Sequence, residues 1–390
     1  MSSEAVANHD VRAAGGDGGA ETGAGSGAQS RAGAPSDVGA GGTGNAEAQA
    51  TLVKAAGRHT APTSQWADLG VPVHYVDHGG PADGPLLVLV HGLGGSLVNW
   101  AALAPLLTDT CRVLALDLLG FGRTQAGTHS TSVTANQVML HRFLTEVAGS
   151  PVILVGNSMG GMITVLQAAR HPETVTALVL IDPALPARVG SHPEPLIAAS
   201  FGMYAVPHLG RAMLRARRRV RTPEQLAMDV LRICCVDPGR LPADVLERHM
   251  ELARARRAFP DLDEHFLVAA RSLMGMLSRR SSYLATFKAI QAPVLLLHGE
   301  KDRLVTIGAS RAVAAANPTW RFEVAPDVGH VPQLEVPEWT ADHIHSWLAT
   351  DVLRSGQTAA SNTDVINTDA INTDAINTDD KEMGNDPWNS

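Results

Sequence analysis

A chain of 390 residues with 45% hydrophobic side chains can bury a sizeable core, yet no apolar run approaches the roughly eighteen residues that a membrane-spanning helix requires. The formal net charge of −8 argues against general nucleic-acid binding. Cys111, Cys234 and Cys235 have neither metal-ligand spacing nor a disulfide framework, which fits a reduced, cytoplasmic setting.

Residues 1–60 begin the chain as a Gly/Ala-rich arm with few large apolar side chains. It is expected to be disordered, because it cannot bury enough surface to offset its ordering entropy. No charged segment followed by an apolar one occurs there, so no secretory signal is expected. The run VPVHYVDHG (71–79) alternates apolar and polar residues and precedes Gly80-Pro81, which predicts an antiparallel edge strand.

PLLVLVHG (85–92), CRVLALD (111–117), PVILVG (151–156), VTALVLID (175–182), PVLLLHG (293–299) and WRFEVAP (320–326) follow. Their near-continuous Val and Leu predicts strands buried on both faces. The intervening segments 102–107, 132–147, 159–170, 307–315 and 339–348 are long or amphipathic enough to be crossover helices. The predicted fold class is α/β, a doubly wound and mostly parallel sheet.

From 186 to 291 the rhythm breaks into apolar helical patterns punctuated by Pro207, Pro223, Pro238, Pro242 and Pro260. This predicts a helical cap inserted over the carboxyl ends of the strands, where open α/β sheets build their sites. Residues 186–290 hold seventeen Arg plus Lys against ten Asp plus Glu, and RAMLRARRRVR (211–221) alone has six arginines. Such a cluster suits a solvated helix face, or a weak contact with an anionic membrane or acidic substrate. The folded unit is expected over 66–354. Beyond it, NTD recurs from 362 to 379, and 355–390 is expected to be a disordered low-complexity tail.

The chemistry concentrates at the ends of predicted strands. Gly156-Asn157-Ser158-Met159-Gly160 is a Gly-x-Ser-x-Gly pattern after a buried strand and before a helix. A serine on so sharp a turn is held in strained backbone angles that expose its hydroxyl. Acyl transfer through serine also needs a base, an acid to orient that base, and donors for the developing oxyanion. His330, in the loop after 320–326, is the candidate base, and Asp302, after 293–299, the candidate acid. Asp182, which also ends a strand, is its rival, and Glu300 a third choice. The candidate oxyanion donors are the amides of Leu93, in the glycine loop His91–Gly95, and Met159, at a helix N-terminus. His91 and Asp117 are expected to brace loops.

HGLGG, DLLGFGRT, VGNSMGG, LLLHGEKDRLV and GHVPQLE, in this order, resemble the α/β-hydrolase superfamily, in its capped esterase, lipase and carbon–carbon hydrolase branch. The resemblance covers about 70–354 and implies Ser158 as nucleophile, Asp302 as acid, His330 as base and 186–291 as the cap that selects substrate. A serine at 158 departs from the Asp-nucleophile dehalogenases and epoxide hydrolases. The elbow is similar to that of meta-cleavage-product hydrolases, but these carry a longer Gly-Pro-Gly loop and a Trp after the histidine. Leu93-Gly94-Gly95 and Val331 stand there instead. Homoserine acyltransferases have Gly where Asn157 stands, and cofactor-free haloperoxidases have Trp at Leu93. The expectation is a serine hydrolase for the carboxylic ester of a small or lipid-like substrate, requiring no metal or cofactor. The alternatives are carbon–carbon cleavage, or a ligand-binding protein with little turnover.

Overall fold

Eight strands form a single sheet in the order β1-β2-β4-β3-β5-β6-β7-β8 in the computed structural model, which describes residues 62–149, 151–187 and 194–352. The arm expected at 1–60 and the tail expected at 355–390 lie outside the described residues. The strands are β1 (Thr63–Asp68), β2 (Pro72–Gly79), β3 (Leu86–Val90), β4 (Arg112–Leu116), β5 (Val152–Asn157), β6 (Val175–Ile181), β7 (Val294–Gly299) and β8 (Arg321–Ala325). The six apolar runs are β3 to β8, and every pairing among these six is parallel.

The run 71–79 is an antiparallel strand but not the edge. β1 pairs outside it, from Thr63↔Asp77 to Asp68↔Pro72, and begins three residues before the expected start of the unit. Its sequence TSQWAD is polar and largely exposed, so no apolar alternation marks it as a strand.

Alternation along β3 explains the two layers. Val88 and Val90 join a core with the helices α2 (Val133–Phe143) and α3 (Met159–Arg170). Leu87 and Leu89 turn to the other face, where Trp100, the one-turn helix α1 (Ala104–Leu107) and Trp347 close the second core. Side chains two apart on a strand share a face, so a run apolar at every position needs cover on both sides.

Between β6 and β7 the insertion is helical throughout its described residues: α4 (Pro195–Ala205), α5 (Pro207–Val220), α6 (Pro223–Cys234), α7 (Ala243–Arg256), α8 (Leu262–Ser278) and α9 (Arg280–Thr286). Four of the five named prolines start helical turns rather than break them, and Pro260 lies in the turn between α7 and α8. Pro207 and Pro223 occupy first-turn positions and Pro242 caps α7, where a missing N–H costs nothing. The last helices are α10 (Ile307–Ala316), α11 (Pro332–Glu335) and α12 (Pro337–Trp347).

Candidate active site

Ser158 lies between the end of β5 and the start of α3, with φ 54° and ψ −118°, a backbone state that costs an L-residue energy and persists only where surroundings enforce it. The enforcement is visible. The Ser158 amide donates to the Ile181 carbonyl at 3.2 Å, and its own carbonyl accepts from Met162 at 3.1 Å and Ala184 at 2.9 Å. Space is the second constraint. A Cβ on Gly160 would overlap the Val90 carbonyl oxygen, and one on Gly92 would come within 2.9 Å of Ser158 Cβ. The flanking glycines therefore let β3 and its loop pass directly beside the serine.

Asp302 and His330 come from the loops that follow β7 and β8, and they meet: His330 Nδ1 lies 2.7 Å from Asp302 Oδ2, with both residues buried. Asp302 Oδ1 accepts from the amides of Leu304 at 2.7 Å and Val305 at 3.1 Å, so three donors hold the carboxylate. The sequence pattern missed Asn157 in this arrangement. Its Nδ2 donates to the carbonyls of Ile181 at 3.0 Å and His330 at 3.1 Å, tying the histidine backbone to the serine turn. Ser158 Oγ makes no hydrogen bond among the described residues, and the link between its turn and the histidine loop is the Asn157 bond to the His330 carbonyl.

The rival Asp182 lies behind this pair instead of contacting His330. Its Oδ1 accepts from the Gly299 amide at 3.0 Å and is 3.2 Å from His298 Nδ1. No N–H or hydroxyl donor reaches its Oδ2. Burial, then the adjacent Asp302 charge, pushes the Asp182 carboxyl well above the usual range. Burial is the largest influence on Asp302 and acts in the same sense, but His330, His298 and the Asp182 side chain together outweigh it and hold this carboxyl below its ordinary value. Two adjacent buried carboxyls cannot both ionise. The opposite shifts favour a neutral Asp182 beside a charged Asp302, and a neutral Asp182 can donate a hydrogen bond to its neighbour. Glu300 is exposed and faces Lys301 and the Asp327 amide, away from His330.

Asp182, His298 and Asp302 bring potential ligand atoms within 4.8 Å of one another. His298 is pushed down to about 4 by burial and is therefore neutral. Its ring is engaged by Ser310 Oγ at 2.9 Å and the Val305 carbonyl at 3.1 Å. A cation in this cluster would have to displace those bonds.

In the glycine loop, the Gly95 amide closes a turn on the Gly92 carbonyl at 3.1 Å, which leaves Leu93 at the bend beside the elbow. Met159 is the first residue of α3, and an N–H at that position has no acceptor within its own helix. His91 braces two loops, bonding the Gly92 carbonyl through Nδ1 at 2.8 Å and accepting from the Leu118 amide at Nε2 at 3.0 Å. Asp117 gathers the amides of Leu97 and Arg123, each at 2.8 Å, and His74 Nδ1 at 2.7 Å.

Glu335 is a second residue the sequence pattern passed over. Fully enclosed, it accepts from the Gly329 amide at 2.7 Å, in the histidine loop, and from Val236 at 2.9 Å and Asp237 at 3.2 Å, in the cap. The His330 amide adds a bond to the Cys234 carbonyl at 2.6 Å, so one carboxylate fastens the cap to the histidine loop. A glutamine here would turn an NH2 group toward one of those N–H donors. Glu335→Gln is expected to cost about 2–3 kcal/mol of stability and slow turnover on the order of tenfold through misplacement of His330. Thermal melts and steady-state kinetics check this, and a variant that melts and turns over like the parent would refute the latch.

A family model described as alpha/beta hydrolase fold matches residues 85–337. Lipase 1 of Psychrobacter immobilis is 27% identical over 272 residues, covering 69% of this chain and 78% of the relative. The 2-hydroxy-6-oxo-6-(2'-aminophenyl)hexa-2,4-dienoic acid hydrolase of Metapseudomonas resinovorans is 26% identical over 294 residues, covering 73% of this chain and 91% of the relative. A solved structure described as a membrane phospholipase A and bacterial virulence factor is 30% identical with a TM-score of 0.55, over 78% of this chain and 91% of that one.

Proposed function

The chain belongs to the alpha/beta hydrolase family and is an enzyme of that kind; on that premise we propose that it cleaves the carboxylic ester of a small or lipid-like substrate through an acyl-enzyme on Ser158. The observation that carries this reading is the buried His330–Asp302 pair, fastened through Asn157 to the same strained turn that presents Ser158. The lipase relative supports the substrate class.

With Nδ1 bound to Asp302, His330 Nε2 is the nitrogen left to take the Ser158 proton as Oγ bonds to the ester carbon. The carbonyl oxygen becomes an oxyanion served by the Leu93 and Met159 amides, fixed donors that need no reorganisation as charge develops. Collapse breaks the carbon–oxygen bond, and the alcohol leaves with the proton from His330. Water then repeats the sequence: His330 takes its proton, the carboxylic acid departs, and Ser158 regains its hydrogen.

The ring-fission hydrolase relative makes carbon–carbon cleavage the reading to test against. Val331 follows the histidine and is buried among Leu231, Cys235 and Leu241 of the cap, where it cannot offer an aromatic wall to a dienoate. Initial rates on p-nitrophenyl esters of increasing acyl length, with a vinylogous diketone alongside, separate the two chemistries. Ester kcat/KM is expected to exceed diketone kcat/KM by at least about a hundredfold, a difference of some 2.7 kcal/mol in transition-state stabilisation. A preference for the diketone would overturn the ester assignment. Cys111, Cys234 and Cys235 are free thiols, which supports a reduced, cytoplasmic setting. No helix among the described residues is long and apolar enough to cross a membrane.

A further inference from the structure

The cap helix α5 (Pro207–Val220) has two unlike sides. Inward, Met213 and Leu214 pack with Tyr204, Leu267 and Phe266 over Leu93 of the glycine loop. Outward, Val206, Leu209 and Val220 are exposed, at 49%, 48% and 77%, and Ala212 and Ala216 are exposed between them. Steps of three and four residues put Leu209, Ala212, Ala216 and Val220 on one stripe that borders Met213, and Val206 precedes it as the extended N-cap. Six large hydrophobic side chains are exposed among the described residues, and three of them belong to this helix or its N-cap, so the pattern is not scattered surface apolarity.

The arginines divide into two groups. Arg211 pairs with Glu264, Arg218 with Asp263 at 2.8 Å, and Arg217 and Arg221 with Asp229 at 3.5 and 3.8 Å. These four hold cap helices together, their charge offset in part by three carboxylates. Arg215 and Arg219 are exposed and have no acidic partner among the described residues. One turn apart, they flank the apolar stripe. Residues 195–223 contain no Asp or Glu at all, so the outward face offers only aliphatic groups and cations.

We propose that this face of α5 docks on an anionic lipid bilayer, with Val206, Leu209, Ala212, Ala216 and Val220 entering the headgroup–acyl boundary and Arg215 and Arg219 meeting lipid phosphates. A stripe of aliphatic side chains along the whole helix, with cations whose stems can lie along apolar surface while their heads reach polar groups, matches an interface that is oily below and negative above. An acidic protein would use the charges but leave the stripe without a purpose. Because the inner side of the same helix packs against the buried cluster that Leu93 also packs against, docking brings the glycine loop toward the lipid layer. The surface does not rest on the ester assignment and is tested without turnover.

The experiment is co-sedimentation of the full chain with vesicles of phosphatidylcholine alone and of phosphatidylcholine with about one-third phosphatidylglycerol, at low and high salt. Partition into the anionic vesicles is expected to be at least about tenfold greater and to fall at high salt as the charges are screened. Arg215→Gln and Arg219→Gln are each expected to lower it about fivefold, and Leu209→Ser to lower it on both vesicle types. All three variants should keep the parent's rate on a soluble p-nitrophenyl ester and its melting temperature. Equal binding to both vesicles, binding to neither, or a double arginine variant that partitions like the parent would overturn the proposal. So would capture by soluble polyglutamate without vesicle binding.

Discussion

Ser158→Ala is expected to lower ester turnover by about a millionfold, the scale seen when the nucleophile of a serine hydrolase is removed. The loss is chemical rather than structural. Ser158 is held in its strained conformation by backbone bonds to Ile181, Met162 and Ala184, all of which alanine keeps, and its hydroxyl has no partner whose loss would destabilise the fold. Melting should therefore change by less than about 0.5 kcal/mol, which separates this outcome from unfolding. Steady-state rates on the ester panel, read beside a thermal melt, check both parts. Residual activity near the parent's would remove Ser158 from the mechanism.

Asp302→Asn should lower kcat by about ten-thousandfold with the fold retained. The carboxylate accepts from Leu304 and Val305 on one oxygen and from His330 Nδ1 on the other. An amide has a single acceptor. If its oxygen satisfies the two backbone amides, its NH2 faces Nδ1 and drives His330 into the tautomer that carries its proton on Nε2, where the base must be empty. The rival carboxyl gives the contrast. Burial and the Asp302 charge favour the neutral form of Asp182 behind the pair, and an amide reproduces a neutral group that donates toward Asp302, so Asp182→Asn should cost less than about tenfold. Equal losses in the two variants would contradict the assignment of the acid to position 302.

The frame and much of the candidate site were legible because each depends on local pattern. Six runs announced strands, of which β3 to β7 are largely buried on both faces while β8, expected to be buried too, is a half-buried sheet edge, and the candidates Ser158, Asp302 and His330 stand just beyond strand ends. β1 escaped notice because Thr63, Ser64 and Gln65 pair through the backbone and leave no apolar signature. Asn157 and Glu335 escaped for another reason: their partners are backbone groups distant in sequence, such as Val236, 99 residues from Glu335, and no spacing encodes such a bond. The arginines of 211–221 show the same limit. That Glu264, Asp263 and Asp229 pair with four of them while Arg215 and Arg219 have no acidic partner among the described residues is decided by helix packing within the cap.

The most direct test of the central claim is a fluorophosphonate reaction followed by intact mass and peptide mapping. The account predicts one adduct per chain, on Ser158, that a p-nitrophenyl ester slows and Ser158→Ala abolishes. An adduct on another residue, or labelling that persists in the alanine variant, would contradict it.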